Sequence, residues 1–302
     1  MDARSQFVRQ TPYYGPRTGG PLDVILLCPH GGGHEQFLGC YPEVARACPA
    51  SDDVLRTYLA VERDVGSSEL AHAIARAIAR QPIGVHIEVL DITFPRGILD
   101  GNRIPERAIR AVFDHAAHPD LVAALRNEHR FACAVVEDRL AVLGGDGIVV
   151  DLHTMAPYSP RTTPGSPTEA AVETPTTLAE YTAAYRDRVR WGTRRAVDVV
   201  TTVAGTTTNI ADPVLLTNLR SSLTRTSVPF RENDPYPTAE HVLTTSYLRQ
   251  HRGIAIDVPK DLLAMIPAED PAFDLAHVPL SRGNMTRIAE PIAGAIANSL
   301  VL

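Results

Sequence analysis

The chain has 302 residues, 44% of them hydrophobic and 21% charged, which is enough apolar material for one large α/β domain or two smaller ones. A formal net charge of −6 argues against nucleic acid as a partner, because binding it needs a basic face. No apolar run reaches the roughly 18–20 residues that a membrane-crossing helix requires.

Residues 1–21 are polar and rich in Gly and Pro, and are expected to form an N-terminal arm ahead of a single domain over 22–302. They lack the apolar core of a signal peptide. Cys28, Cys40, Cys48 and Cys133 show no C-x-x-C spacing and are too few for a disulfide scaffold, so reduced thiols and a cytoplasmic location are expected. Val24–Cys28 is a short β-branched and leucine-rich run that reads as a buried strand, and it empties into the loop CPHGGGHE. Ser67–Arg80 repeats apolar residues at helical spacing behind two serines suited to a helix start. Gly84–Ile92 reads as a strand, Pro105–Ala117 and Asp120–Leu143 as helices, and Gly147–Leu152 as a second buried strand. Residues 156–176 form a Pro-, Ser- and Thr-rich loop, long enough to suggest a lid. Leu178–Val203 reads as a helix, the Thr-rich 201–208 as extended, Ala239–Gln250 as a helix, Gly253–Val258 as a strand and Ile288–Leu300 as a closing helix. Strands alternating with helices predict an α/β sheet with helices on both faces.

Three strand ends carry reactive residues, and in α/β sheets sites gather at the carboxyl ends of strands. The first holds His30, His34 and Glu35 around three glycines. There is no Gly-rich phosphate-binding signature, whereas imidazole plus carboxylate is the ligand set of a catalytic zinc. The second, VVDLHTMAP, places Asp151 and His153 on one side of a strand, where the Asp can accept the ring N–H of the His. The third, IAIDVPKDL, ends an apolar strand on Asp257, either a general base or the cap of the following turn. Off the strands, FPRGILDGNR contains Arg96, Asp100, Asn102 and Arg103, a combination suited to clamping a carboxylate, with Asp100 orienting an arginine. Lys260 is the only lysine in the chain, the other cations being arginine, as background composition would also produce.

These pieces occur in an order that resembles the N-formylglutamate amidohydrolase (deformylase) family. The matching segments are Pro29-His30-Gly31-Gly32, Asp64 ahead of a helix, Arg96-x-x-x-Asp100-x-Asn102-Arg103, Asp151-x-His153-Thr154, the Asn-Asp-Pro-Tyr of 233–236, and the strand-end Asp257. The resemblance spans about residues 24 to 300. It implies a phosphorylase/hydrolase-like mixed sheet similar to zinc carboxypeptidases and aspartoacylases, with zinc or another divalent metal on His30, His153 and an acidic ligand. Asp64 matches the family position for that ligand, with Glu35 as its rival and His34 further off. Arg96, Asn102 and Arg103 would bind a small acidic N-acyl substrate with Asp100 beside them. Arg96 would also stabilise the oxyanion, and Asp257 would act as base where the family has Glu. Pro95 and Thr154 replace family serines. A family member acting on another small amide, a non-catalytic binding protein of the same fold, and a cysteine hydrolase using Cys28 are the alternatives. A homo-oligomer remains open.

Overall fold

The computed structural model describes residues 6–16, 21–158, 178–186, 192–234, 237–267 and 278–300. The expected lid over 156–176 falls almost wholly outside these residues. A seven-stranded sheet, in the order β1-β3-β2-β4-β7-β5-β6, organises the chain. Its strands are β1 (Val8–Tyr14), β2 (Leu22–Cys28), β3 (His86–Ile92), β4 (Leu143–Met155), β5 (Val197–Val200), β6 (Phe230–Glu232) and β7 (Arg252–Pro259). The four central strands β3, β2, β4 and β7 run parallel. Both β1 and β5 run antiparallel to their inner neighbours, so the sheet is mixed.

The central strands are buried on both faces, which is why they read as continuous apolar runs rather than alternating ones. Val24, Leu26 and Cys28 of β2 face one layer, built from α4 (Ser67–Ala79), α7 (Pro213–Arg225) and α9 (Arg282–Leu300). Ile25 and Leu27 face the other layer, with Phe37 of α1 (His34–Cys40), Leu55 and Tyr58 of α3 (Asp52–Glu62), and Leu125 of α5 (Pro119–Ala141). Three more helices, α2 (Pro42–Ala47), α6 (Leu178–Arg186) and α8 (Leu243–Gln250), complete the described helical segments.

Four expectations need correction. Residues 8–14 of the expected arm form the edge strand β1, anchored by the buried Phe7, and the edge position tolerates Pro12. Pro105–Ala117 is not a helix: only Pro105–Arg107 makes a 3-10 turn. Its backbone instead bonds back to the preceding loop, Asp100 N–H to Ala108 C=O at 2.7 Å and Arg110 N–H to Ile98 C=O at 2.9 Å. Leu178–Val203 is not one helix either. It contains α6 and then β5, whose β-branched VDVV pairs with β7 in the sheet interior. The Thr-rich 201–208 is a turn closed by a Thr202–Asn209 bridge.

Candidate metal centre

From β2 the chain runs to β3 on one side and later to β4 on the other, so a crevice opens between the carboxyl ends of β2 and β4. His30 leaves β2 into this crevice, and His153 enters it from β4. Gly32 lets the His30 loop lie against β3. A Cβ there would stand 2.1 Å from the Thr93 backbone, so only glycine fits. Asp64 arrives from the turn between α3 and α4, where its N–H bonds to His30 C=O at 3.2 Å and its C=O accepts the Ser67 hydroxyl at 2.9 Å.

Among the described residues, His30, Asp64 and His153 form a cluster able to hold a metal ion. His30 Nδ1 and His153 Nδ1 are 3.1 Å apart, His153 Nδ1 is 3.1 Å from Asp64 Oδ2, and His30 Nδ1 is 3.4 Å from the same oxygen. Bonds of about 2.0–2.1 Å to a tetrahedral ion put its ligand atoms about 3.4 Å apart, close to this triangle. The outer ring nitrogens are fastened to carboxylates: His30 Nε2 to Asp100 Oδ1 at 2.7 Å and His153 Nε2 to Asp151 Oδ2 at 3.0 Å. A carboxylate only accepts, so the tautomer that satisfies Asp100 and Asp151 carries its proton on Nε2. In that tautomer both Nδ1 lone pairs face Asp64 and suit a cation; without one, a proton on His153 Nδ1 fills the same place and is donated to Asp64.

The electrostatics agree. Burial opposes charge on His153, but Asp151 and Asp64 outweigh it and push the imidazole well above its ordinary value. Burial likewise opposes ionisation of Asp64, yet hydrogen bonds from His153 and His30 and the Arg96 charge hold its carboxyl below the usual range. Asp257 pairs with His153 in register between β7 and β4, so the two side chains share a face of the sheet. Burial, with Asp64 and Asp198 nearby and partly offset by His153, raises Asp257 to about 7. Its Oδ1 has no hydrogen-bond partner among the described residues.

Around these groups lies a cavity of about 270 Å³ lined by His30, Asp64, Arg96, Asp100, Asn102, Arg103, His153 and Asp257. Glu35 is not among its walls. Glu35 sits in the first turn of α1 with its side chain 69% exposed, 3.3 Å from His34 Nε2, so Asp64, and not Glu35, is the acid that stands with the two histidines. His34 is buried, and it too is absent from the cavity wall. The expected substrate clamp also looks different. The Asn102 amide donates to Asp151 at 3.2 Å and its oxygen accepts from the Thr244 N–H at 3.0 Å, so Asn102 braces the Asp151–His153 pair. Asp100 is buried, holding His30 and, at 3.1 Å, Arg103 Nε. Cys28 is buried with its thiol on Ser67 C=O, and burial followed by Asp91 pushes it well above its usual value, which disfavours a thiolate nucleophile.

Further residues of the wall carry no motif of their own: Glu62, Arg110, Tyr181, Arg195, Thr244 and Lys260. Glu62 lies two residues before Asp64, near enough to be suspected, whereas Arg110 comes from a loop and Thr244 from the first turn of α8, and no spacing announces the approach of either.

No protein-family description matches the sequence, and no curated protein sequence does. Among solved structures, N-formylglutamate amidohydrolase from Ralstonia eutropha JMP134 is similar, with a TM-score of 0.56 and 16% identity over 97% of this chain and 98% of that one. A gene product of Agrobacterium tumefaciens gives a TM-score of 0.52 and 18% identity over 92% of this chain and 90% of that one. This chain shares their fold. At such identities the likeness extends to architecture, a single mixed α/β domain, and leaves the chemistry to the site itself.

Proposed function

We propose that this protein is a metal-dependent amidohydrolase acting on a small acidic N-acyl amino acid, of which N-formylglutamate is the first candidate. The observation that carries this reading is the triangle of His30 Nδ1, His153 Nδ1 and Asp64 Oδ2, with both outer ring nitrogens held by carboxylates. A divalent ion there, zinc by its ligand set, supplies Lewis acidity and lowers the pKa of bound water to about 7.

The chain's own residues do the rest. Asp257 takes the proton of the attacking water and returns it to the leaving amine, a role suited to a carboxyl raised to about 7. Asp100, Asp151 and Asn102 keep the two imidazoles in one orientation. Arg96, near Asp64 and Glu62, lies beside the ligand cluster and stabilises negative charge on the acyl oxygen. Arg103 and Arg110, both paired to Asp100, form a positive wall for the substrate carboxylate. A cavity of about 270 Å³ suits a small metabolite, since pockets for drug-sized ligands run from roughly 300 Å³ upward.

Asp257 is one methylene shorter than the glutamate of the family the sequence resembles. That favours, as a second reading, the same chemistry on a different small N-acyl compound. The test is formate release from N-formylglutamate beside a panel of N-acyl amino acids, together with metal analysis. Activity that disappears with a chelator and returns with zinc is expected, and full activity after complete metal removal overturns the proposal.

A further inference from the structure

Lys260, the only lysine of the chain, is 8% exposed and lines the cavity from the short 3-10 turn Lys260–Leu262 that follows β7. Among the described residues its ammonium makes a single hydrogen bond, to the Val61 carbonyl at 3.2 Å. An ammonium has three donors, and burying one is costly unless it is paired. Of the carboxylates near it, Asp257 has an unpartnered Oδ1 but makes no ion pair with Lys260 among the described residues, and Glu62 and Asp64 are held by other groups. Glu62 accepts the Tyr181 hydroxyl and lies 3.6 Å from Arg96. Asp64 is held by His153 at 3.1 Å, the Thr154 N–H at 3.3 Å and Arg96 at 3.4 Å. Among the described residues, therefore, Lys260 has no salt bridge.

We propose that Lys260 contacts the substrate, its ammonium donating to an oxygen that carries or develops negative charge. The oxygen belongs either to a carboxylate or to the acyl group under attack. Lys260 lines the same cavity as Arg96, which sits at Glu62 and Asp64, whereas Arg103 and Arg110 pair with Asp100. Burial lowers the Lys260 ammonium to about 8, against the pull of Asp64 and Glu62, so it is still charged at neutral pH and gains from an anionic partner. The inference takes its substrate chemistry from the hydrolase reading but its geometry from the cavity alone.

The single lysine makes the test direct. Full-length, zinc-supplemented protein carrying ¹⁵N only at lysine Nζ gives one side-chain ammonium resonance. That resonance is expected to shift saturably with glutarate, a bare dicarboxylate, and with N-formyl-L-glutamate. A resonance unmoved by both overturns the proposal. A shift with no hydrolysis of any panel member upholds the contact and overturns the hydrolase reading instead. In parallel, Lys260→Met at full zinc content is expected to lower kcat/KM at least about tenfold, with Lys260→Arg recovering part of it. A loss in kcat assigns the contact to the acyl oxygen, and a rise in KM assigns it to a carboxylate. A change below about threefold in both parameters overturns the proposal.

Discussion

The ring of His153 lies between two carboxylates, Asp64 at 3.1 Å and Asp151 at 3.0 Å. Asp151 fixes which nitrogen faces the centre, and its own position is set by Asn102 and the Thr244 hydroxyl. Asp151→Asn should weaken zinc binding by about 10–100-fold, read by competition with a chromogenic chelator. Unchanged affinity would mean that the orientation of His153 is set elsewhere. Asp257→Asn should retain zinc and lose about 10²–10⁴-fold in kcat. The same variant has a signature in stability. The folded value of Asp257, about 7, lies above its ordinary 3.8, so its contribution is fully present below pH 3.8 and is lost as pH rises through 7. Metal-free Asp257→Asn should thus be more stable than the parent at pH 8.5, by about 2–4 kcal/mol in chemical denaturation, and no more stable near pH 4. At this scale the sequence was informative about residue types. The D-x-H spacing placed Asp151 and His153 on one side of a strand, and that is how β4 presents them. It could not say that the Asn102 amide turns inward to Asp151, because that depends on α8 bringing Thr244 beside it.

Elements decide how closely these residues can approach. The His30 loop lies against β3 because Gly32 has no side chain. Gly32→Ala would drive a methyl into the Thr93 backbone, and the loop must shift to relieve it. The expected outcome is a measurable fall in zinc affinity with the Tm lowered by several degrees, as overpacking of about 1–3 kcal/mol produces. An alanine variant with normal zinc affinity would show that the loop has room to spare. The buried strands β2, β4 and β7 were legible because apolar runs bounded by Gly and polar residues have few other uses. β5 was not, since four residues of VDVV leave no room for a periodicity, and only pairing with β7 makes them a strand. Pro105–Ala117 carries a helical spacing, yet its backbone bonds to the 98–100 loop. That exchange places Arg110 Nη1 3.8 Å from Asp100.

For the whole molecule, the proposed metal would be linked to the fold. The candidate ligands come from the loop after β2, from β4 and from the turn between α3 and α4, so an ion held by them would be bound only when the sheet is assembled. Zinc should raise Tm, with about 2.7 kcal/mol gained at a free concentration one hundred times Kd. Because His153 binds a proton well above its ordinary value, zinc must displace that proton, and affinity should fall as pH falls. Calorimetry in two buffers of different ionisation enthalpy should register the proton released, and buffer-independent heats would contradict it. The alternation of buried runs and helical spacings along the chain is enough to specify the layered α/β class, and the residue types on the strand ends are read directly from the sequence. It also held the order of motifs that resembles an amidohydrolase family. Which acid joins the histidines was decided only by tertiary structure: Glu35 is near in the chain but starts a helix that leads it into solvent, whereas Asp64 is distant in the chain and tied to the His30 backbone. Local spacing controls which face a side chain takes. Convergence of three atoms within 3.4 Å is a property of the strand order, and no local spacing contains it.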